Sequence, residues 1–110
     1  QDVFGQTLIG RLGGEEFAIC LPNAGAEGAR AVAERLRLLV ESHPATAGAR
    51  SIPLTVSIGI ALCGPGDSAG AALQRADEAM YLAKQRGRNR VEMSGPAQPA
   101  AAPAVVATAA

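Results

Sequence analysis

The sequence predicts a layered α+β domain, a sheet with helices packed on it. Three observations lead there. Residues 24–42 and 68–86 carry apolar side chains at helical spacing. Leu54 to Leu62 alternates and is rich in β-branched residues, as a strand is. Gly13-Gly14 stands between two apolar runs, where it can supply the positive φ angles of a tight hairpin turn. At 110 residues the chain fits one domain. Aromatic residues make up only 3%, with no Trp, so Leu, Ile, Val and Ala must fill the core.

In chain order, the predicted hairpin pairs Leu8 to Leu12 with Glu15 to Leu21, and Pro22-Asn23 ends it. In the first helix, Ala24 to Ser42, Ala29, Val32, Ala33, Leu36, Leu39 and Val40 recur at helical spacing, and Arg30, Glu34, Arg35, Arg37 and Glu41 cover the other side. His43-Pro44 stops it, because the residue before a proline resists the helical conformation. A loop, ATAGARSIP, leads into the 54–62 strand, and Cys63-Gly64-Pro65-Gly66 turns the chain. Asp67 or Ser68 caps the second helix, whose stripe is Leu73, Ala76, Ala79, Met80 and Ala83. Gly87 ends it, and Val91 to Met93 forms a last short strand. The stretch 95–110, GPAQPAAAPAVVATAA, has three prolines, no charge and no period, and reads as a disordered tail. The folded unit is then residues 1–94.

The charge balance removes several functions. Ten basic and ten acidic residues leave no net charge, so nothing argues for nucleic acid or an anionic membrane as partner. No apolar run approaches the ~18 residues of a membrane span, and no signal peptide is visible. Cys20 and Cys63 are too far apart in sequence for a zinc or redox spacing and read as buried reduced thiols, which suits a cytoplasmic setting. The lone His43 reads as a surface residue.

Two clusters can carry chemistry. One is Arg11 to Phe17, where Glu15 and Glu16 follow the glycines; a carboxylate opening a strand can hold Mg²⁺, and glycines let a ligand approach the backbone. The other is Lys84 to Arg90, with four cations and no acid, suited to clamping phosphate oxygens. Each alone reads equally as a solvated turn or as complementation of a helix dipole. Together they are what a Mg²⁺–nucleoside triphosphate needs. No P-loop, dinucleotide fingerprint or nucleophile elbow is present.

These residues carry a family signature. RLGGEEFAICLP resembles the hallmark of the GGDEF family of diguanylate cyclases, LTVSIGIA resembles its next strand, and ADEAMYLAKQRGRNRV its closing helix and basic turn. The resemblance runs from about Leu8 to Val91. It implies a ferredoxin-like, mostly antiparallel sheet flanked by helices, like the palm of nucleotidyl cyclases and polymerases. It implies condensation of two GTP into cyclic di-GMP with release of pyrophosphate, by a homodimer, with Mg²⁺ or Mn²⁺. By position, Gly13 and Gly14 would approach the nucleotide, and Glu15 would lie near the attacking 3′-hydroxyl. Glu16 would bind metal, and Lys84 and Arg88 would contact the terminal phosphates. A degenerate domain that only binds GTP or regulates is the alternative.

The sequence also departs from the family pattern. Phe4 and Thr7 stand where the family has the Arg and Asp of an inhibitory product site, RxxD. The family's first strand, with its metal-binding Asp in a DxDxFKxxND-like segment, has no counterpart in residues 1–7. That strand is central in the palm topology. Without it the chain is expected to expose an apolar sheet face and unpaired backbone, to be unstable alone and to lack turnover. The resemblance implies an N-terminal sensory or receiver domain in the parent protein, which could be anchored to a membrane through such domains.

Overall fold

The structure, a computed structural model, describes residues 8–13, 15–95 and 102–110. Strands β1 (Leu8–Gly13) and β2 (Glu16–Leu21) come first, followed by helix α1 (Gly25–Ser42). Two short strands follow, β3 (Ala45–Ala47) and β4 (Arg50–Ile52), then β5 (Ser57–Leu62). Helix α2 (Ala69–Gln85) leads to β6 (Val91–Ser94) and β7 (Ala104–Ala109).

Five of these strands form one sheet in the order β1-β2-β7-β5-β6. Every pairing is antiparallel except β5 with β6. The expected mostly antiparallel sheet flanked by helices is what forms. The loop expected at residues 45–53 is instead a small hairpin, with Ala45 opposite Ile52 and Gly48 at φ 64° in the turn.

The main correction concerns the tail. Residues 104–109 are not disordered: they are the central strand of the sheet and are buried throughout. The three prolines occupy positions 96, 99 and 103, and Ala-Val-Val-Ala-Thr-Ala beyond them is free of proline. The expected gap at the centre is therefore filled from the C-terminal side. β7 pairs five residues with β2, from Phe17↔Thr108 to Leu21↔Ala104. It pairs six with β5, from Ser57↔Ala109 to Leu62↔Ala104. Its approach caps α1, because Gly25 N–H donates to the Ala102 carbonyl at 2.9 Å. Residues 1–7, and with them Phe4 and Thr7, lie outside the described residues.

Alternation along the strands sorts the core into two layers. On one face Ile58, Ile60, Leu62, Ala104 and Val106 meet Ala29 and Ala33 of α1. On the other, Ala61, Val105, Ala107 and Ala109 meet Ala72, Ala76 and Met80 of α2. The α1 face is incompletely covered toward the hairpin, where Ile9 is 71% and Phe17 42% exposed. The expected apolar exposure is thus present, but at β1 and β2 rather than at an empty centre.

Helix ends follow local rules. Ser68 caps α2, its hydroxyl accepting from Ala71 N–H at 3.1 Å. At the other end Gly87, at φ 122°, lets Arg88 N–H reach back to the Ala83 carbonyl at 2.9 Å, closing the helix as the sequence predicts. Both cysteines are free and half-buried, and burial, then proximity to Cys20, pushes the Cys63 thiol up. No described helix is long and apolar enough to cross a membrane.

Candidate functional site

The topology brings the acidic turn and the basic turn to one end of the sheet. β2 starts at Glu16 and pairs Phe17 with Thr108; β7 ends beside Ser57, the first residue of β5. Ile58 N–H donates to the Arg90 carbonyl at 2.9 Å, tying the 86–90 turn to that same end. The two motifs flank β7 and β5, a width of roughly 14 Å at strand spacing. They share an edge without touching.

The hairpin presents its carboxylates differently. Glu15 sits exposed in the turn, and Glu16, opposite Gly13, is half-buried at the first position of β2. The register shifts between Arg11 and Gly13, a bulge that re-aims the turn. Gly14 lies outside the described residues. Glu15, Phe17, Leu36, Val40, Thr108 and Ala110 border a shallow, mainly apolar groove of about 240 Å³. That groove follows the uncovered part of the α1 face.

The basic cluster proves to be two pairs of unlike cations. Arg86 and Arg90 both bind Glu92, at 3.0 and 3.1 Å. Lys84 and Arg88 have no Asp or Glu side-chain partner among the described residues. Lys84 is half-buried in the last turn of α2, and Arg88 is exposed, its guanidinium donating to the main-chain oxygen of Ala110 at 3.2 Å. Arg88 therefore reaches the residue that also borders the groove beside Glu15. Sequence reasoning singled out Lys84 and Arg88 but missed Glu92, which lies two residues beyond the cluster.

It also missed the brace beneath the turn. Arg88 and Asn89 both have left-handed backbones, φ 64° and 48°, which costs non-glycine residues about 1 kcal/mol or more each. The Asn89 side chain compensates. Its Oδ1 accepts from Arg37 at 3.1 Å, and its Nδ2 donates to Glu41. Arg37 is held in turn by Glu34 at 3.1 Å. Helix α1 thus fixes the conformation that presents Arg88. Asn89→Ala is expected to lower stability by about 1–2 kcal/mol, from two lost bonds and a less tolerant left-handed residue. Asn89→Gly should lose less, because glycine takes that backbone freely. Urea unfolding of the two variants checks the order.

Ser57, 1% exposed at this end of β5, has a hydroxyl with no hydrogen-bond partner. No cluster of three or more potential metal ligands occurs among the described residues. Of the acids at this end, Glu92 and Glu41 are engaged by the basic turn, and Glu15 and Glu16 belong to the hairpin. One or two carboxylates suit Mg²⁺ when substrate phosphates complete its shell.

A ferredoxin-like sheet with a GGEEF hairpin and a basic turn at one edge defines a nucleotidyl-cyclase-type domain, and comparison with known proteins agrees. The model of the diguanylate cyclase GGDEF domain matches residues 3–90, and the chain belongs to the GGDEF family. It is 45% identical over 85 residues to diguanylate cyclase A of Treponema denticola, covering 76% of this chain and 23% of that protein. It is 44% identical over 84 residues to the response regulator PleD of Caulobacter vibrioides, covering 74% and 18%. Among solved structures it resembles the GGDEF domain of DgcB from Caulobacter crescentus in complex with c-di-GMP. That likeness has a TM-score of 0.73 and 36% identity, covering 79% of this chain and 51% of the other. The chain thus spans about a fifth of these curated relatives and about half of the solved chain.

Proposed function

We propose that this chain is the C-terminal portion of the catalytic domain of a diguanylate cyclase, which joins two GTP into cyclic di-GMP and releases two pyrophosphates. The observation that carries the reading is the shared sheet edge. It holds the Glu15-Glu16 turn and the two cations of the basic run that pair with no acidic side chain among the described residues, Lys84 and Arg88.

Gly13 and Gly14 let the nucleotide approach the hairpin backbone. Glu15, exposed at the turn, faces the ribose and takes the proton of the attacking 3′-hydroxyl. Glu16 holds Mg²⁺ or Mn²⁺, which when bound neutralises charge on the phosphate oxygens. Lys84 and Arg88 bind the terminal phosphates and steady the leaving pyrophosphate. Each subunit carries one GTP, so a second subunit presents the α-phosphate that each 3′-hydroxyl attacks. Input comes from a sensory or receiver domain of a longer protein, working in the cytoplasm.

A second reading, GTP binding without turnover, has its own support. β7 brings no acidic side chain to the edge, since its residues there are Thr108 and Ala109. This chain by itself is then expected to bind without sustained synthesis. Calorimetric titration with GTP, with and without Mg²⁺, tests both readings. Binding that weakens by ~100-fold in a Lys84→Ala, Arg88→Ala double variant supports the site. No heat with the unaltered chain refutes it, and product formation by this chain alone would exclude the second reading.

A further inference from the structure

Main-chain bonds pin the basic turn at its two ends. Arg88 N–H reaches the Ala83 carbonyl of α2, and the Arg90 carbonyl accepts from Ile58 N–H of β5, each at 2.9 Å. Between these bonds Gly87, Arg88 and Asn89 all have positive φ, 122°, 64° and 48°. Arg86 and Arg90 are both turned to Glu92, so neither steadies the middle of the turn. The support there comes from another element, through the side chain of Asn89.

Glu34, Arg37 and Glu41 lie three and four residues apart and share one face of α1. Arg37 Nε and Nη2 donate to the two oxygens of Glu34, at 3.2 and 3.1 Å, a fork that fixes the plane of the guanidinium. That plane aims Nη1 at Asn89 Oδ1, 3.1 Å away. Asn89 Nδ2 donates to Glu41, which closes a ring of four side chains. Arg37 is its innermost charged member, less exposed than either glutamate, so water competes least at the bond to Asn89. Among the described residues, no hydrogen bond or ion pair joins this ring to Lys84, which is carried by α2.

We propose that Arg37 is a positioning residue for the terminal phosphates of the nucleotide. It touches no substrate. It acts through Asn89, holding the left-handed turn that sends the Arg88 guanidinium outward. This rests on the reading of Lys84 and Arg88 as the phosphate clamp, and it divides that clamp in two. Lys84 is placed by α2, whereas Arg88 depends on α1. The seating of α1 is thereby a determinant of triphosphate affinity.

The test is a set of variants of the full chain titrated with Mg²⁺–GTP. Arg37→Met keeps an aliphatic stem on α1 and removes the guanidinium. It is expected to weaken GTP binding by about tenfold, the worth of one charge-assisted hydrogen bond that is no longer oriented. The same change should cost nothing further in an Arg88→Ala background, and should keep its full effect in a Lys84→Ala background. General loosening of the fold would cost the same in both. Asn89→Gly takes the left-handed backbone without the side chain and should reproduce the Arg37→Met pattern. Hydrogen exchange reads the turn without nucleotide: the Arg88 amide should exchange about tenfold faster in Arg37→Met, with the β5 amides unchanged. Equal losses in the two backgrounds, or an Arg88 amide as protected as before, overturn the proposal. An unaltered chain that takes up no GTP refutes the reading of the clamp itself, and the positioning role falls with it.

Discussion

Gly59→Ala is expected to cost about 3 kcal/mol or more, an unusually large effect for one added methyl group. Gly59 lies mid-β5, bonded to Ala107 on one side and Glu92 on the other, so the strand has no lateral freedom. Above it α2 crosses so closely that the new Cβ would meet Ala76 O and Met80 N at 2.1 Å and the Ala79 carbonyl carbon at 2.8 Å. All three are backbone atoms, so no rotamer relieves the clash. The helix must lift, and lifting separates Ala72, Ala76 and Met80 from Ala61 and Val105. Dispersion contacts in that layer fall off within an ångström of separation. Denaturant unfolding gives the answer directly. A loss below about 1 kcal/mol would mean that α2 rests farther from the sheet than described.

The second large effect concerns nucleotide rather than stability. Glu16→Gln keeps the shape of a half-buried side chain and removes its charge. It should leave the melting temperature nearly unchanged and lower Mg²⁺-dependent GTP binding by ~100-fold, since an amide is a poor substitute for a carboxylate at a hard cation. Binding in the presence of a chelator should not differ between the two proteins. Titration of both with and without Mg²⁺ separates the outcomes, and equal metal dependence would remove Glu16 from the metal site. In a longer protein with a complete catalytic site, the same change should abolish synthesis.

Much of this fold was legible in the sequence because its signals are local. The hairpin follows from Gly13-Gly14, the helices from apolar spacing, the second helix's ends from Ser68 and Gly87. β7 escaped because a strand buried on both faces does not alternate, and Ala-Val-Val-Ala-Thr-Ala beside three prolines gives no period to find. The site divided in the same way. Glu15, Glu16, Lys84 and Arg88 stand out as charges at turns. The Arg37–Asn89 bond joins residues 52 apart, a distance at which spacing carries no information. Glu92's hold on Arg86 and Arg90 was within reach, since a carboxylate two residues past a basic run is a ready partner.

The position of β7 also bears on how fast the molecule reaches its native state. Thr108 meets Phe17 across 91 residues of chain, and that pairing sits at the middle of the sheet rather than its rim. The β1–β2 hairpin and both helices are local and can form early. Helix α2 can pack locally on β5 and β6, but the β1–β2 hairpin cannot join them until the most distant contact closes, and the entropy of that closure is met before the contact rewards it. Folding should therefore be limited by docking of β7. Until then β2 and β5 present open edges, the period in which neighbouring chains are most exposed to mutual aggregation.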